Sequence, residues 1–227
     1  MNRFFPMALS LFFVGCGGTE DSGSGTNTLL VTASIEFENQ IPNASQSADF
    51  NVRYEVEVRR NNQPVTDAQV RLTPEGQDAI ILGGNDVPQG RYTGSGVGWT
   101  SRYRLDVESG SDNVRGVRFD SPDIHVFVAP SLGQVVPAGI DYQIRWDRDR
   151  QTDFAIIKTK QLGDTDIQDS GSFMLSGVYL DGDQDKQKED EVSLIRKKQT
   201  GLTGGLSGSK IEITLRNRVS FLIDIQP

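Results

Sequence analysis

The densest set of groups able to do chemistry is Asp181-Gly182-Asp183-Gln184-Asp185, followed by Lys186, Gln187, Lys188, Glu189, Asp190 and Glu191. Calcium takes roughly six to eight hard oxygen ligands, and aspartates at alternate positions of a turn can converge on one ion. Asp181, Asp183 and Asp185 are therefore candidate calcium ligands, with a solvated acidic loop as the competing reading. An EF-hand loop would carry glycine at its sixth position, where Lys186 stands. No other cofactor is expected.

His125 is the only histidine and Cys16 the only cysteine, so zinc sites built on several soft ligands are unavailable. A Ser-His-Asp triad would have to use His125 as its base. His125 lies within Ile124-His125-Val126-Phe127-Val128, where alternation puts it on the face opposite the three aliphatics. It reads as a strand or inter-domain histidine. No catalytic residue is assigned, and the chain is not expected to be an enzyme. Gly94-Ser95-Gly96-Val97-Gly98 has the glycines of a phosphate loop, but Trp99-Thr100-Ser101-Arg102-Tyr103 continues with no helical period, so a bulge or turn is expected. Trp99 and Tyr103, near Tyr92 and Arg102, are candidate ligand-binding residues forming an aromatic platform for a sugar or peptide; packing between sheets is the alternative.

The N-terminus bears on compartment. Arg3 precedes an apolar run from Phe4 to Val14, broken by Pro6 and Ser10, that ends at Gly15-Cys16. About 11 residues rise only ~17 Å as a helix against a hydrocarbon core of roughly 30 Å, so the run suits an export signal rather than a membrane span. Phe13-Val14-Gly15-Cys16 resembles the lipobox of bacterial lipoproteins, with Phe13 where the family prefers an aliphatic residue. The resemblance implies cleavage before Cys16 and acylation of that cysteine. Gly17, where the inner-membrane retention signal has aspartate, implies sorting to the outer membrane. Residues 17–27 have no apolar side chain to bury and read as a flexible tether reaching about 18 Å. Loss of residues 1–15 removes Arg3 and moves the formal net charge from -8 to -9. Such an acidic chain lacks the basic field that nucleic-acid binding needs.

The elements that must carry these groups are strands. Phe50 to Arg59 alternates apolar and polar without error, placing Phe50, Val52, Tyr54, Val56 and Val58 on one face. The turn Arg60-Asn61-Asn62-Gln63-Pro64 follows, and alternation resumes at Val70 and Leu72, at Tyr103, Leu105 and Val107, and at Val117 and Phe119. Ile124, Val126 and Val128 alternate again, as do Tyr142, Ile144 and Trp146, the last read as a core tryptophan. Ile211, Ile213 and Leu215, then Val219, Phe221, Ile223 and Ile225, form two runs joined by Arg216-Asn217-Arg218 and read as a terminal hairpin. Short strands with frequent turn residues point to an all-β fold of two tandem immunoglobulin-like β-sandwiches. The expected organisation is a lipoprotein signal peptide at 1–15, lipidated Cys16 and flexible tether at 16–27, and sandwiches at 28–122 and 123–227, with one large domain as the alternative.

Asn62 to Leu72, with Gly90-Arg91-Tyr92-Thr93-Gly94 and Tyr103 to Val107, is similar to the immunoglobulin-like and transthyretin-like add-on domains of exported bacterial proteins. Pro130 to Gly139, with Tyr142 to Trp146 and Asp169 to Phe173, resembles the immunoglobulin-like domain of Ser/Thr-rich anchored cell-surface proteins. These resemblances imply a non-catalytic envelope protein, attached to the membrane through its lipid, that binds a surface protein or polysaccharide. A structural spacer within an envelope complex is the alternative.

Cys16→Ser is expected to release the protein into the soluble fraction and to abolish incorporation of radiolabelled palmitate. A wild-type chain that takes up no label would overturn the lipobox reading.

Overall fold

The computed structural model describes residues 23–83, 87–182 and 187–224. The first stretch of chain forms β1 (Ser24–Gly25), β2 (Leu30–Asn39), β3 (Phe50–Arg60), β4 (Gln63–Pro64), β5 (Gln69–Pro74), β6 (Ile80–Leu82), β7 (Arg91–Val97), β8 (Arg102–Ser109) and β9 (Asp112–Asp120). After a crossing at residues 121–125 come β10 (Val126–Ala129), β11 (Val135–Pro137), β12 (Tyr142–Asp147), β13 (Phe154–Lys158), β14 (Thr165–Ile167) and β15 (Ser172–Leu175). Two long strands, β16 (Lys188–Gly201) and β17 (Lys210–Asp224), close the fold. The protein is all-β, as its alternating pattern requires.

Strand β3 is where pattern and structure agree best. Phe50, Val52, Tyr54, Val56 and Val58 are all buried, and the intervening residues face outward. Its turn places Asn61 and Asn62 both at positive φ (51° and 63°), the left-handed pair whose twist suits a tight hairpin and which asparagine tolerates.

Among the described residues the strands form three sheets: β1-β9-β8-β5-β6, β10-β12-β15, and a nine-stranded sheet running β14-β13-β16-β17-β2-β3-β4 with β7 on β3 and β11 on β17. Two cores result. One gathers residues of the first sheet, such as Val70, Leu72 and Leu105, against β2 and β3. The other gathers Phe127, Ile144, Trp146 and Leu175 against Ile157, Leu194, Val219 and Phe221. The molecule is thus two sandwich lobes that share one continuous sheet.

The ribbon β16–β17 produces that sharing. Its strands pair from Lys188↔Ile223 to Gly201↔Lys210, and the first half of β17 also runs parallel to β2, from Lys210↔Thr32 to Arg216↔Glu38. The expected terminal hairpin at Arg216-Asn217-Arg218 is therefore corrected: β17 passes through these residues unbroken. Ile211, Ile213, Leu215, Asn217, Val219, Phe221 and Ile223 share one parity, so all face inward on a single strand. Leu202, Ile211, Ile213 and Leu215 complete the first core although they lie beyond residue 122, where the first sandwich was expected to end.

Two further expectations change. In β10 the inward residues are Phe127 and Ala129, with His125 just before them; Val126 is half-buried and Val128 exposed, the reverse of the expected facing. A slip of one residue reverses every side chain of a strand, and here the phenyl ring takes the interior. The tether is also shorter than expected at its C-terminal end. Ser24 and Gly25 pair with Arg115 and Val114, and Thr26 N donates to Asn113 O at 3.0 Å. Backbone hydrogen bonds supply this order, and they need no apolar side chain.

Burying a large aliphatic side chain contributes about 1.5–3 kcal/mol, so the four residues lent by the ribbon are together comparable with the whole stability of a domain, roughly 5–15 kcal/mol. Residues 28–122 produced alone are accordingly expected to lack a cooperative thermal transition, whereas the full body melts in one. A sharp melt of 28–122 by circular dichroism would show that the ribbon is dispensable.

Candidate functional site

The outer face of the shared sheet carries a trough of ≈ 780 Å³ that crosses from one lobe to the other. Strand register arranges its side chains in two rows. One runs Phe154, Lys197, Thr214, Glu36, Arg53, Ser95 across six strands. The other runs Ile156, Ile195, Arg216, Glu38, Asn51, Val97 across the same six. At ~4.8 Å between strands each row is about 24 Å wide. Both rows are polar in the middle. Apolar lips stand at the ends, with Phe154 and Val97 exposed.

Within the trough Lys197 Nζ lies 3.5 Å from Glu212 Oε1, and Arg216 Nη1 lies 3.8 Å from Glu38 Oε1. Exposed pairs of this kind contribute at most about 1 kcal/mol, so they leave the surface open to exchange partners. Glu36 and Arg53 sit directly opposite each other on β2 and β3. The arrangement can hydrogen-bond an extended polar chain. Its acids Glu38 and Glu212 each face a cation loosely.

Beneath the trough, at the seam between the lobes, lies a buried polar junction. Arg196 is 0% exposed and occupies an inward position of β16 in phase with Val192 and Leu194. Its Nε donates to Asp169 Oδ2 at 3.0 Å, its Nη1 to Asp123 O at 2.6 Å, and its Nη2 to Arg150 O. Asp169 also accepts from Trp146 Nε1 (3.1 Å), Thr152 N (3.0 Å) and Thr152 Oγ1 (3.0 Å). Burial pushes the Asp169 carboxyl up, but the Arg196 charge and these hydrogen bonds outweigh it and hold the group below the usual carboxylate range. Asn217 continues the seam: its amide is bonded to Ala44 N and O and to His125 O. Asn43 binds Phe127 N and O across the same gap.

The sequence-predicted residues fall in different places. Tyr103 is 1% exposed and stacks on Phe119 with ring centroids 5.9 Å apart, flanked by Phe37 and Tyr54. Trp99 is half-buried against the first core, and its Nε1 donates to Pro122 O at 2.9 Å. The expected platform is corrected at Tyr103, whose ring is enclosed by other aromatics and has no face for a ligand, while the Trp99 ring keeps part of its surface exposed. Trp146 is a core residue, as expected. Asp181 is exposed with its carboxylate 3.7 Å from Lys188 Nζ, while Asp183 and Asp185 lie outside the described residues, as does Cys16. His125 is 0% exposed, edge-on to Phe127, and unavailable to a substrate. Sequence reasoning passed over Arg196, Asp169 and Asn217. For Arg196 and Asn217 the available signal was a charged or amide residue at a position whose parity demanded an apolar one; Asp169 lies in a loop and carried no such signal.

No protein-family model matches the chain, and no curated protein is similar to it. Among solved structures, the fibronectin(III)-like modules of Clostridium thermocellum CbhA align with 80% of this chain and 92% of theirs, at 10% identity and a TM-score of 0.25. A likeness that distant carries no argument about topology or function.

His125 gives the junction a pH dependence. Burial, reinforced by the Arg196 charge and opposed by Asp169, lowers its pKa from 6.5 to about 3. The unfolded chain thus takes up a proton that the folded chain refuses. Stability from this group is complete above pH 6.5 and falls with acid at ~1.4 kcal/mol per pH unit down to about pH 3. Chemical denaturation from pH 6.5 to 5 is expected to show that slope in the wild type and to lose it in His125→Phe; equal slopes would refute the assignment.

Proposed function

We propose that the protein is a non-catalytic, lipid-anchored component of the bacterial cell envelope, sorted to the outer membrane, whose body serves as a rigid structural arm. The observation that carries this reading is the β16–β17 ribbon, which supplies residues to both cores and runs through the seam without a break. Lobes joined by a loop can swing. Lobes joined by two strands hydrogen-bonded along their full length cannot swing without breaking a sheet. The junction around Arg196 adds to this, since losing one partner of a buried ion pair costs about 3–5 kcal/mol. Support for anchoring comes from Arg3, the apolar run and the resemblance of residues 13–16 to a lipobox. Support for a non-catalytic role comes from the sealed His125 and from the ion-paired acids of the trough.

A second reading, retention of an envelope polysaccharide or surface protein, is favoured by the trough, whose row Lys197-Thr214-Glu36-Arg53-Ser95 presents donors and acceptors from β16 of one lobe to β7 of the other. Spin labels at Ile81→Cys and Leu132→Cys, one in each lobe, separate the issues in a Cys16→Ser background. A single narrow distance distribution is expected for an arm, and a broad one would refute rigidity. Cosedimentation with purified peptidoglycan, lost in Arg53→Ala, would move the assignment to binding.

A further inference from the structure

The two ends of the ribbon differ in a way that assigns them different tasks. At the Lys210 end the chain arriving from the N-terminus is clamped. Asn27 N donates to Gly204 O at 3.0 Å, and Gly25 and Gly204 approach so closely that a Cβ on Gly25 would lie 2.3 Å from Gly204 O. Only glycine permits that contact. At the Asp224 end, about 46 Å away along the 15 residues of β17, two loops meet. These are the turn at residues 138–141 and the 3-10 turn Gly177–Tyr179.

Their backbones are locked together. Gly177 N donates to Asp141 Oδ1 at 2.8 Å, Gly139 N to Leu180 O at 3.0 Å, and Ala138 N to Asp224 O at 2.8 Å. A Cβ on Gly177 would sit 2.4 Å from Gly139 C and 2.7 Å from Ile140 N. The side chains projecting from this fixed tip are apolar: Ile140 is 58% exposed, Val178 75% and Tyr179 37%. Acidic residues border the two turns: Asp141 follows Ile140 and binds Gly177 N, Asp181 follows Leu180 with Lys188 beside it, and Asp224 O accepts from Ala138 N. Single exposed apolar residues are ordinary on a surface, but a group held on a locked backbone within an acidic rim is the composition of a contact surface.

We infer that this tip docks a protein segment carrying Lys or Arg beside apolar side chains. The inference rests on the anchored-arm reading for its direction: the clamp keeps the Lys210 end near the lipid, so the tip points away from the membrane. An anionic lipid surface would be repelled by the acidic rim. A second copy of the chain would bring acidic rim against acidic rim. A basic, partly apolar partner satisfies both features.

The test places a photo-crosslinking amino acid at Ile140 or Val178 of the full-length protein in its native envelope, with Leu206 beside the clamp as the control position. Crosslinked peptides are identified by mass spectrometry. Both tip positions are expected to capture the same segment of another protein, bearing Lys or Arg next to apolar residues, and Leu206 is not. Asp181→Lys should lower the yield roughly fivefold, the effect of about 1 kcal/mol. Capture of this chain itself or of lipid, yields unchanged by Asp181→Lys, or no capture above that at Leu206 would each overturn the inference. Fractionation of Cys16→Ser reports on the anchor separately, so loss of anchoring and loss of docking are distinguished.

Discussion

A guanidinium with no exposed surface sets the terms for the rest of this molecule. A buried charge is tolerated only when it is paired and its donors are used, and Arg196 meets both conditions through acceptors drawn from three places in the chain. Asp169 supplies the countercharge from the loop before β15, Arg150 a carbonyl from the loop before β13, and Asp123 a carbonyl from the crossing between the lobes. Asp123 in turn receives a bidentate pair from Arg150, at 3.0 Å to each oxygen. Movement of any one of these segments would strand a charge in the interior. The crossing at residues 121–125 is therefore a fixed strap, though its sequence looks like a linker.

The same junction explains why the shared sheet stays continuous. A strand that serves two cores must pass between them, and at that point its inward side chain has neither core to pack against. Asn217 fills the gap with hydrogen bonds to Ala44 and His125 in place of apolar contact. Leu215 before it belongs to the first core and Val219 after it to the second. The trough on the opposite face is a consequence of the same continuity, because its rows need six strands in unbroken register. The continuous sheet, the trough and the apolar turns at the Asp224 end are thus three results of one ribbon.

Parts of this architecture were legible in the residues. The faultless alternation of Phe50 to Arg59 is written by the pleat, and the inward facing of Tyr142, Ile144 and Trp146 follows the same rule. Other parts were not. Tyr103 and Trp99 lie close in sequence, and nothing local distinguishes a ring on the surface from a ring stacked on Phe119. Alternation around His125 is symmetric, since Ile124, Val126 and Val128 compete with Phe127 and Ala129 for the inward face; the partner sheet decided it. Arg216-Asn217-Arg218 resembled a turn because three polar residues interrupted an apolar run. The shared parity on either side was the evidence for a single strand.

What the sequence determined alone is what period-2 patterning and covalent chemistry can encode: an all-β body, the faces of its best strands, an acidic surface, and at the N-terminus an apolar run ending in one cysteine. These depend on neighbours along the chain. What only the tertiary structure decided is how the pieces combine: that residues 210–216 lie beside residues 32–38, that an arginine in a late strand holds a crossing 73 positions earlier, and that the ends of one ribbon carry a clamp and an apolar tip. Parallel pairing over such separations leaves no local mark, because its stabilisation comes from burial and hydrogen bonds that exist only once distant segments have met.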